Sequence, residues 1–393
     1  MSPRRRASSR LYPAALPALV AVLALSPLGC GQKAEAPQEH KIGAVLSLTG
    51  RGGTYGEKAR NGMQLAVDEV NAGPMRETPL RLVVEDSQSS RQQSQAAFRR
   101  LVDQEKVFVA VGFLLSDEVL ACAPLANQRR VVLFSPFAGS DDIKNAGDYV
   151  FRNRESASRQ AEAIARVAVE RFGDKRFAIL HSKSANGISY RDAFVDAVVR
   201  LGIATPPPTV SFEEGRSDYR KEIAQVQARE PEAVYLAGLD RELGLILKQA
   251  DGMGFRPQFF ASAAAISPRL LEIAGRSSEG LVGGSAPFDP ESRSRRVQAF
   301  VRAYSQRFGQ EPDFLAANAY DAIHLIAEQI RSGATDGEKL KTGLYAVRDY
   351  DGVGGKTTFD TYGEVEKPIT LVQVRDGSFR PLAAETADSA PRP

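Results

Sequence analysis

The chain has 393 residues, 43% hydrophobic and 25% charged, with 51 Lys plus Arg against 48 Asp plus Glu, a composition that matches ordinary globular domains. Four of the arginines precede Cys30, so residues 30–393 carry 47 basic and 48 acidic side chains and a net charge of −1. The apparent basicity belongs to the N-terminus, and the remainder offers no electrostatic footprint for a nucleic acid.

Residues 1–29 read as an export signal peptide. Arg4, Arg5, Arg6 and Arg10 precede an apolar run, Leu11 to Leu25, that Pro13 and Pro17 interrupt and that is too short to span a bilayer comfortably. The ending Leu28-Gly29-Cys30 resembles a bacterial lipoprotein signal, in which Cys30 is lipidated and becomes the first mature residue. Gly29 fits that pattern, while Pro27 stands where Leu is usual; an ordinary secretory signal with Cys30 nearby is the alternative. Residues 30–40, polar from Gly31 to His40, read as a tether. With Cys30 lipidated, Cys122 has no disulfide partner, and its setting among Val119, Leu120, Ala123 and Leu125 predicts a buried structural thiol.

From Lys41 onward short apolar runs alternate with amphipathic segments of helical length, and the length prior of roughly 100–200 residues per domain gives two domains. The predicted strands are 42–46, 80–84, 108–111, 131–134, 177–180, 233–236, 258–260 and 281–282. The predicted helices between them are 56–71, 90–104, 116–128, 158–172, 190–201, 219–228 and 241–253. This βαβα rhythm, with strands apolar almost throughout, predicts doubly wound α/β lobes with parallel sheets covered on both faces. It breaks twice, at an irregular stretch 139–158 holding one short strand, 149–151, and again after Ser292, where helices 292–308, 315–331 and 337–347 precede a strand-turn-strand end. Two sheets with irregular crossings imply two lobes and a cleft. The small polar and Pro-rich tail, 381–393, predicts disorder.

Catalytic constellations are sparse, and no catalytic residue, metal or cofactor is expected. His40 lies in the tether, His324 on an apolar helix, and His181 at a strand end without metal-ligating neighbours. No G-x-S-x-G elbow occurs. Gly352 to Thr357 looks like a phosphate loop only superficially, because the required first glycine is Tyr350 and a strand follows. Asp86, Asp117, Glu118, Asp141 and Asp142 lie near strand ends, where caps and solvated loop acids are the ordinary roles. Two junctions suit a small anion: Gly112 to Ser116, with Ser116 as a helix N-cap, and Ser135 to Ser140.

The segments Ile42-Gly43-Ala44, Leu48-Thr49-Gly50, Tyr55-Gly56 and Asn61-Gly62 through Glu69-Val70-Asn71-Ala72 resemble the start of exported leucine/isoleucine/valine-binding proteins, the substrate-binding components of ABC importers. The likeness continues through Val111-Gly112 to Ser116, Ser135-Pro136, Ala178-Ile179-Leu180, Val234-Tyr235, Gly252 to Phe255, Glu279-Gly280 and Ala319 to Ala322, and so covers Lys41 to Gly377. It implies a type I periplasmic binding fold, two lobes joined by three hinge crossings, with lobe 1 over 41–157 plus 285–353 and lobe 2 over 158–284 plus 354–380.

The ligand site that the resemblance implies comprises Tyr55, Leu115, Ser116, the loop Phe137-Ala138-Gly139-Ser140, Asn186, Asp240 and Ala263. Ser116 and the loop would hold a carboxylate, Tyr55 would pack on the ligand, and Asn186 falls where many relatives have an aromatic. Gly139 stands where amino-acid binders commonly have Thr, and Ala263 where a relative presents an acid to the ligand ammonium. Either Asp240 supplies that charge, its ordinary alternative being an exposed N-cap, or the ligand has no ammonium, since burying one unpaired costs several kcal/mol.

The expected protein is therefore an exported, periplasmic, membrane-tethered monomer without catalysis that hands an amino acid or another small carboxylate or amide to an ABC permease. A sensor of the same fold feeding a receptor is an alternative, and a hydrolase on a doubly wound scaffold is a remote one.

Overall fold

The computed structural model describes residues 39–173, 176–285 and 288–382. The expected signal peptide, Cys30 and most of the tether and tail lie outside the described residues. His40 is an exception, because it opens the first strand instead of ending a tether.

The first part of the chain runs β1 (His40–Leu46), α1 (Gly53–Ala72), β2 (Leu80–Asp86), α2 (Arg91–Asp103), β3 (Val109–Gly112), α3 (Ser116–Arg129), β4 (Val132–Ser135) and β5 (Val150–Arg152). The second runs α4 (Ala157–Glu170), β6 (Phe177–Ser182), α5 (Ala185–Arg200), β7 (Thr209–Phe212), α6 (Arg220–Gln227), β8 (Ala233–Ala237), α7 (Asp240–Gly252), β9 (Gln258–Ala261), α8 (Pro268–Ala274) and β10 (Val282–Ser285). Helices α9 (Arg295–Phe308), α10 (Phe314–Arg331) and α11 (Gly337–Tyr345) follow, then β11 (Tyr350–Gly352), β12 (Gly355–Thr357), β13 (Thr370–Arg375) and β14 (Ser378–Pro381).

Strands β1 to β5 form one sheet in the order β2-β1-β3-β4-β5, all parallel. Its inner strands β3 and β4 are buried along their whole length, as apolar runs without polar alternation require when helices cover both faces. The second sheet has the order β14-β13-β10-β9-β8-β6-β7. It is parallel from β7 to β10, but β13 pairs antiparallel with β10 and closes a hairpin with β14, so this sheet is mixed. Pro381, expected in the tail, pairs with Val372.

Helices α9, α10 and α11 return to the first lobe, where Phe300, Ile323, Leu325 and Leu340 join the core around Ile42, Val109 and Phe134. Phe359 and Val365 lie in that same core. Phe359 meets Phe134 and Phe151 edge to face, so the chain still packs on the first lobe beyond the expected boundary at 353. Strand β7 and helix α8 were not expected. β7 is an edge strand in which Phe212 is the one fully buried side chain; it follows three prolines, and its four residues are too few for their polar/apolar alternation to stand out.

Candidate functional site

In each sheet the first strand lies between the second and the third, so the chain leaves β1 and β3, and likewise β6 and β8, toward opposite faces. The crevice outside the carboxyl ends of such strands is where open α/β sheets place ligands. Every residue of the expected site follows the carboxyl end of a parallel strand: Tyr55 follows β1, Leu115 and Ser116 β3, residues 137–140 β4, Asn186 β6, Asp240 β8 and Ala263 β9.

On the first lobe two glycines set the geometry. A Cβ at Gly56 would lie 2.0 Å from the Ser47 carbonyl oxygen, so only glycine lets α1 press against the end of β1. Gly112 ends β3 at φ +117°, where a Cβ would meet the Val45 carbonyl at 2.1 Å. The chain then turns into α3, whose N-cap is Leu115; Ser116 is the first helical residue and not the expected cap.

The Ser116 hydroxyl does other work. Its oxygen accepts the backbone N–H groups of Gly139 (3.2 Å) and Ser140 (3.1 Å). With both lone pairs engaged, what it has left to offer is its proton. The loop after β4 is held from behind by its carbonyls. Arg154 Nη1 donates to Phe137 O at 2.6 Å, Arg152 Nη1 to Ala138 O at 3.3 Å and to Ser140 O at 2.9 Å, and Ala157 N to Gly139 O at 2.8 Å. The first hinge crossing thus hangs the whole loop, and the Ser140 hydroxyl pairs with Ser189 of the second lobe at 2.9 Å.

On the second lobe Ser184 caps α5, its oxygen accepting Gly187 N, which starts the helix five residues earlier than expected and places Asn186 in its first turn. Asn186 Oδ1 is buried without a hydrogen-bond partner. Asp240 is the first residue of α7 and only 3% exposed, not the exposed cap of the alternative reading. Its carboxylate accepts Arg241 N (2.7 Å) and the Ser267 hydroxyl (2.7 Å), and its own N–H donates to the Tyr55 hydroxyl at 3.3 Å. Burial first, and then the Asp240 charge, hold the Tyr55 phenol well above its ordinary pKa, so the ring stays neutral.

The lobes meet closely. Between them lies a cavity of about 20 Å³ lined by Leu115, Ser116, Phe137, Ala138, Gly139 and Asn186, together with Arg51, Leu114, Asp117, Ser184, Glu214 and Leu239. That volume admits a water or so, and an amino-acid-sized solute needs the lobes to part. Tyr55 stands one layer behind, stacked on Phe137 with centroids 5.2 Å apart. Ser140 and Asp240 also stand behind the lining, and Ala263 lies in a buried turn next to Gly284, outside it.

Arg51 closes the cavity's mouth. It forms an ion pair with Glu214 across the lobes and lies 3.7 Å from Asp117, which also pairs with Arg91. Neither Arg51 nor Glu214 carries a local sequence signal, because only the closure of two segments distant in the chain makes them a pair. Arg152 and Arg154 had one faint signal, two arginines alternating directly after an apolar strand.

The remaining candidates have structural roles. His181 is buried, bonds Ser182 O at 2.9 Å through Nδ1, and is pushed below its ordinary pKa by burial. Burial pushes the Cys122 thiol up to about 12, which makes it inert. Asp86 ties down Leu48, Thr49 and Gln88. Glu118 accepts from Ser47 and from Leu115 N. Among the described residues no group of three or more His, Cys, Asp or Glu could hold a metal ion, and no helix is long and apolar enough to cross a membrane.

Two doubly wound lobes with their switch points facing across a cleft define a solute-binding protein of the type I periplasmic fold. The family model described as periplasmic binding protein matches residues 39–378, and the chain belongs to that family, the type I periplasmic binding proteins. It is similar to the leucine-, isoleucine-, valine-, threonine- and alanine-binding protein of Pseudomonas aeruginosa, 24% identical over 334 residues, covering 83% of this chain and 87% of that one. Among solved structures it resembles the leucine-binding protein LivK of Thermotoga maritima at TM-score 0.82 and 28% identity, covering 88% of this chain and 98% of the other. The branched-chain amino-acid transporter substrate-binding protein LivJ of Streptococcus pneumoniae, in complex with isoleucine, aligns at TM-score 0.79 and 26% identity over 87% of this chain and 98% of its own.

Proposed function

We propose that this protein is the extracytoplasmic substrate-binding component of an ABC importer, capturing a branched-chain amino acid or a related small carboxylate or amide by closure of its two lobes. The observation that carries the reading is the Ser116 hydroxyl, which lines an interlobe cavity built from strand ends of both sheets and whose oxygen accepts two loop N–H groups, leaving its proton to donate. A proton so placed suits a carboxylate or amide oxygen. Such a protein binds and releases its solute unchanged, as a monomer. Closure is stabilised only as far as the solute binds the closed state better than the open one.

The leader argues for export, and Cys30 for a lipid tether that keeps the binder near its permease. A thermal-shift screen of amino acids, carboxylic acids and amides against the purified protein tests the binding. Stabilisation by one such class, lost in Ser116→Ala, supports the reading, and no stabilisation by any of them counts against it. For the tether, mass spectrometry of the mature N-terminus should find an acylated Cys30, and Cys30→Ser should free the protein from membranes.

A further inference from the structure

Two side chains of the cavity lining flank Gly139, one from each lobe. From the first lobe the Ser116 oxygen accepts Gly139 N at 3.2 Å, and its hydroxyl keeps a proton to donate. From the second lobe Asn186, in the first turn of α5, brings its Oδ1 to 2.9 Å from the point where a Cβ on Gly139 would stand. Asn186 as a residue is half-buried, but Oδ1 itself is out of reach of water and has no hydrogen-bond partner. The carboxylates that share the lining are engaged: Asp117 pairs with Arg91, and Glu214 with Arg51. Among the lining residues one other polar side-chain atom is buried without a partner, Arg51 Nε, and it is a donor in the pair at the mouth. Asn186 Oδ1 is therefore the acceptor of the lining with nothing to accept.

Closure creates this condition. Asn186 and Gly139 belong to different lobes, so the approach that shuts Oδ1 off from water exists while the lobes are together and ends when they part. Closing on an empty cavity strips the oxygen of water and supplies no donor in return, which is the costly way to bury a polar atom. Closing on a solute that brings an N–H or O–H to Oδ1 carries no such penalty. A solute that also presents an oxygen to the Ser116 proton is then held from both lobes at once.

We propose that Asn186 makes lobe closure conditional on a hydrogen-bond donor in the solute. The cleft takes small solutes that carry an ammonium or hydroxyl group on the carbon next to the carboxyl oxygen that Ser116 receives. This deepens the proposed function and rests on the cleft being the ligand site. A carboxylate without a donor leaves Oδ1 as unsatisfied as an empty cavity does, so it gains little from the closed state.

The test uses two matched sets in calorimetry with the purified protein: L-leucine, 2-hydroxy-4-methylpentanoate and 4-methylpentanoate, and then L-phenylalanine, 2-hydroxy-3-phenylpropanoate and 3-phenylpropanoate. Wild type should bind at least one amino or hydroxy acid roughly tenfold or more tighter than the matched plain acid. Asn186→Leu, similar in shape but without the acceptor, should bring that ratio down to about threefold or less, whereas Asn186→Asp, which keeps an acceptor, should preserve the preference. Small-angle scattering without solute should give Asn186→Leu a smaller radius of gyration than wild type, because its empty closed form strands no polar atom. A plain acid bound by wild type as tightly as its amino and hydroxy counterparts overturns the proposal, even if Asn186→Leu misfolds. An undiminished ratio or an unchanged radius in folded Asn186→Leu overturns it as well. If a solute binds and Ser116→Ala weakens it while position 186 leaves the ratio unmoved, the cleft remains the ligand site and this inference alone falls; if no member of either set binds, both fall.

Discussion

A Cβ built on Gly139 would sit 2.9 Å from Asn186 Oδ1, so the loop after β4 and the first turn of α5 are fitted to each other across the cleft. The glycine where amino-acid binders commonly carry Thr is thus matched by the side chain opposite. Gly139→Thr forces the Asn186 amide aside, and since that amide is the end of a flexible chain, the cost to folding should stay near 1 kcal/mol. Its effect on ligand affinity should be larger, and Asn186→Ala should relieve it. A double-mutant cycle on affinity should give a coupling of about 0.5–3 kcal/mol, and additivity would show that the two residues do not meet in the bound state.

Ser116→Ala strands two backbone N–H groups and removes the donor facing the cavity. We expect a loss of about 1–3 kcal/mol in binding, roughly tenfold to a hundredfold in Kd. Calorimetry on the variant measures it, and an unaltered Kd would remove Ser116 from the site.

Arg51 and Glu214 pair across the lobes at the mouth of the cavity. Arg51→Ala should favour the open form and weaken ligand binding by about 1 kcal/mol, some fivefold, because a contact specific to the closed state is lost. Small-angle scattering should show a larger radius of gyration for the variant without ligand. The exchange Arg51→Glu with Glu214→Arg should restore both properties only in part, because Asp117 beside position 51 would repel the introduced carboxylate.

Asp240 is already satisfied by Ser267 and Arg241 N. For a ligand lacking an ammonium, Asp240→Asn should alter Kd by no more than a few fold. Loss of all binding in this variant would show that the carboxylate receives a cation.

Asp86 governs a pH dependence. Burial pushes its pKa up, but the Thr49 hydroxyl and the N–H groups of Gln88, Thr49 and Leu48 outweigh that and leave it below the ordinary value. A carboxylate with a depressed folded pKa stabilises the fold above its unfolded pKa, about 3.9, and that contribution is lost as pH falls through the folded value. Denaturant unfolding of Asp86→Ala should show a deficit of about 2 kcal/mol at pH 7, shrinking below pH 4. A deficit independent of pH would assign the effect to packing.

The fold was legible because its signals are local. Runs such as Val109–Val111 and Val132–Phe134 are apolar throughout and alternate with amphipathic helices, a pattern that parallel sheets covered on both faces impose. Strand β7 escaped because an edge strand with one buried residue has no such pattern. The site was legible only in outline. Ser116 and the loop 137–140 could be placed at strand ends, but that the loop's N–H groups are spent on Ser116, and its carbonyls on Arg152, Arg154 and Ala157, required the hinge segment to be laid against it.

By itself the sequence determined the class of protein, since periodicity, strand-end chemistry and the ordered segments from Lys41 to Gly377 are written along the chain. Only the tertiary structure decided which charges are paired. It joined Arg51 to Glu214 and Arg152 to Glu364. It also buried Arg154 beside Phe137, with no ion-pairing carboxylate among the described residues. The reason is physical: the cost of a buried charge depends on what lies within a few ångströms of it, and those neighbours come from segments remote in sequence that only the closed fold brings together.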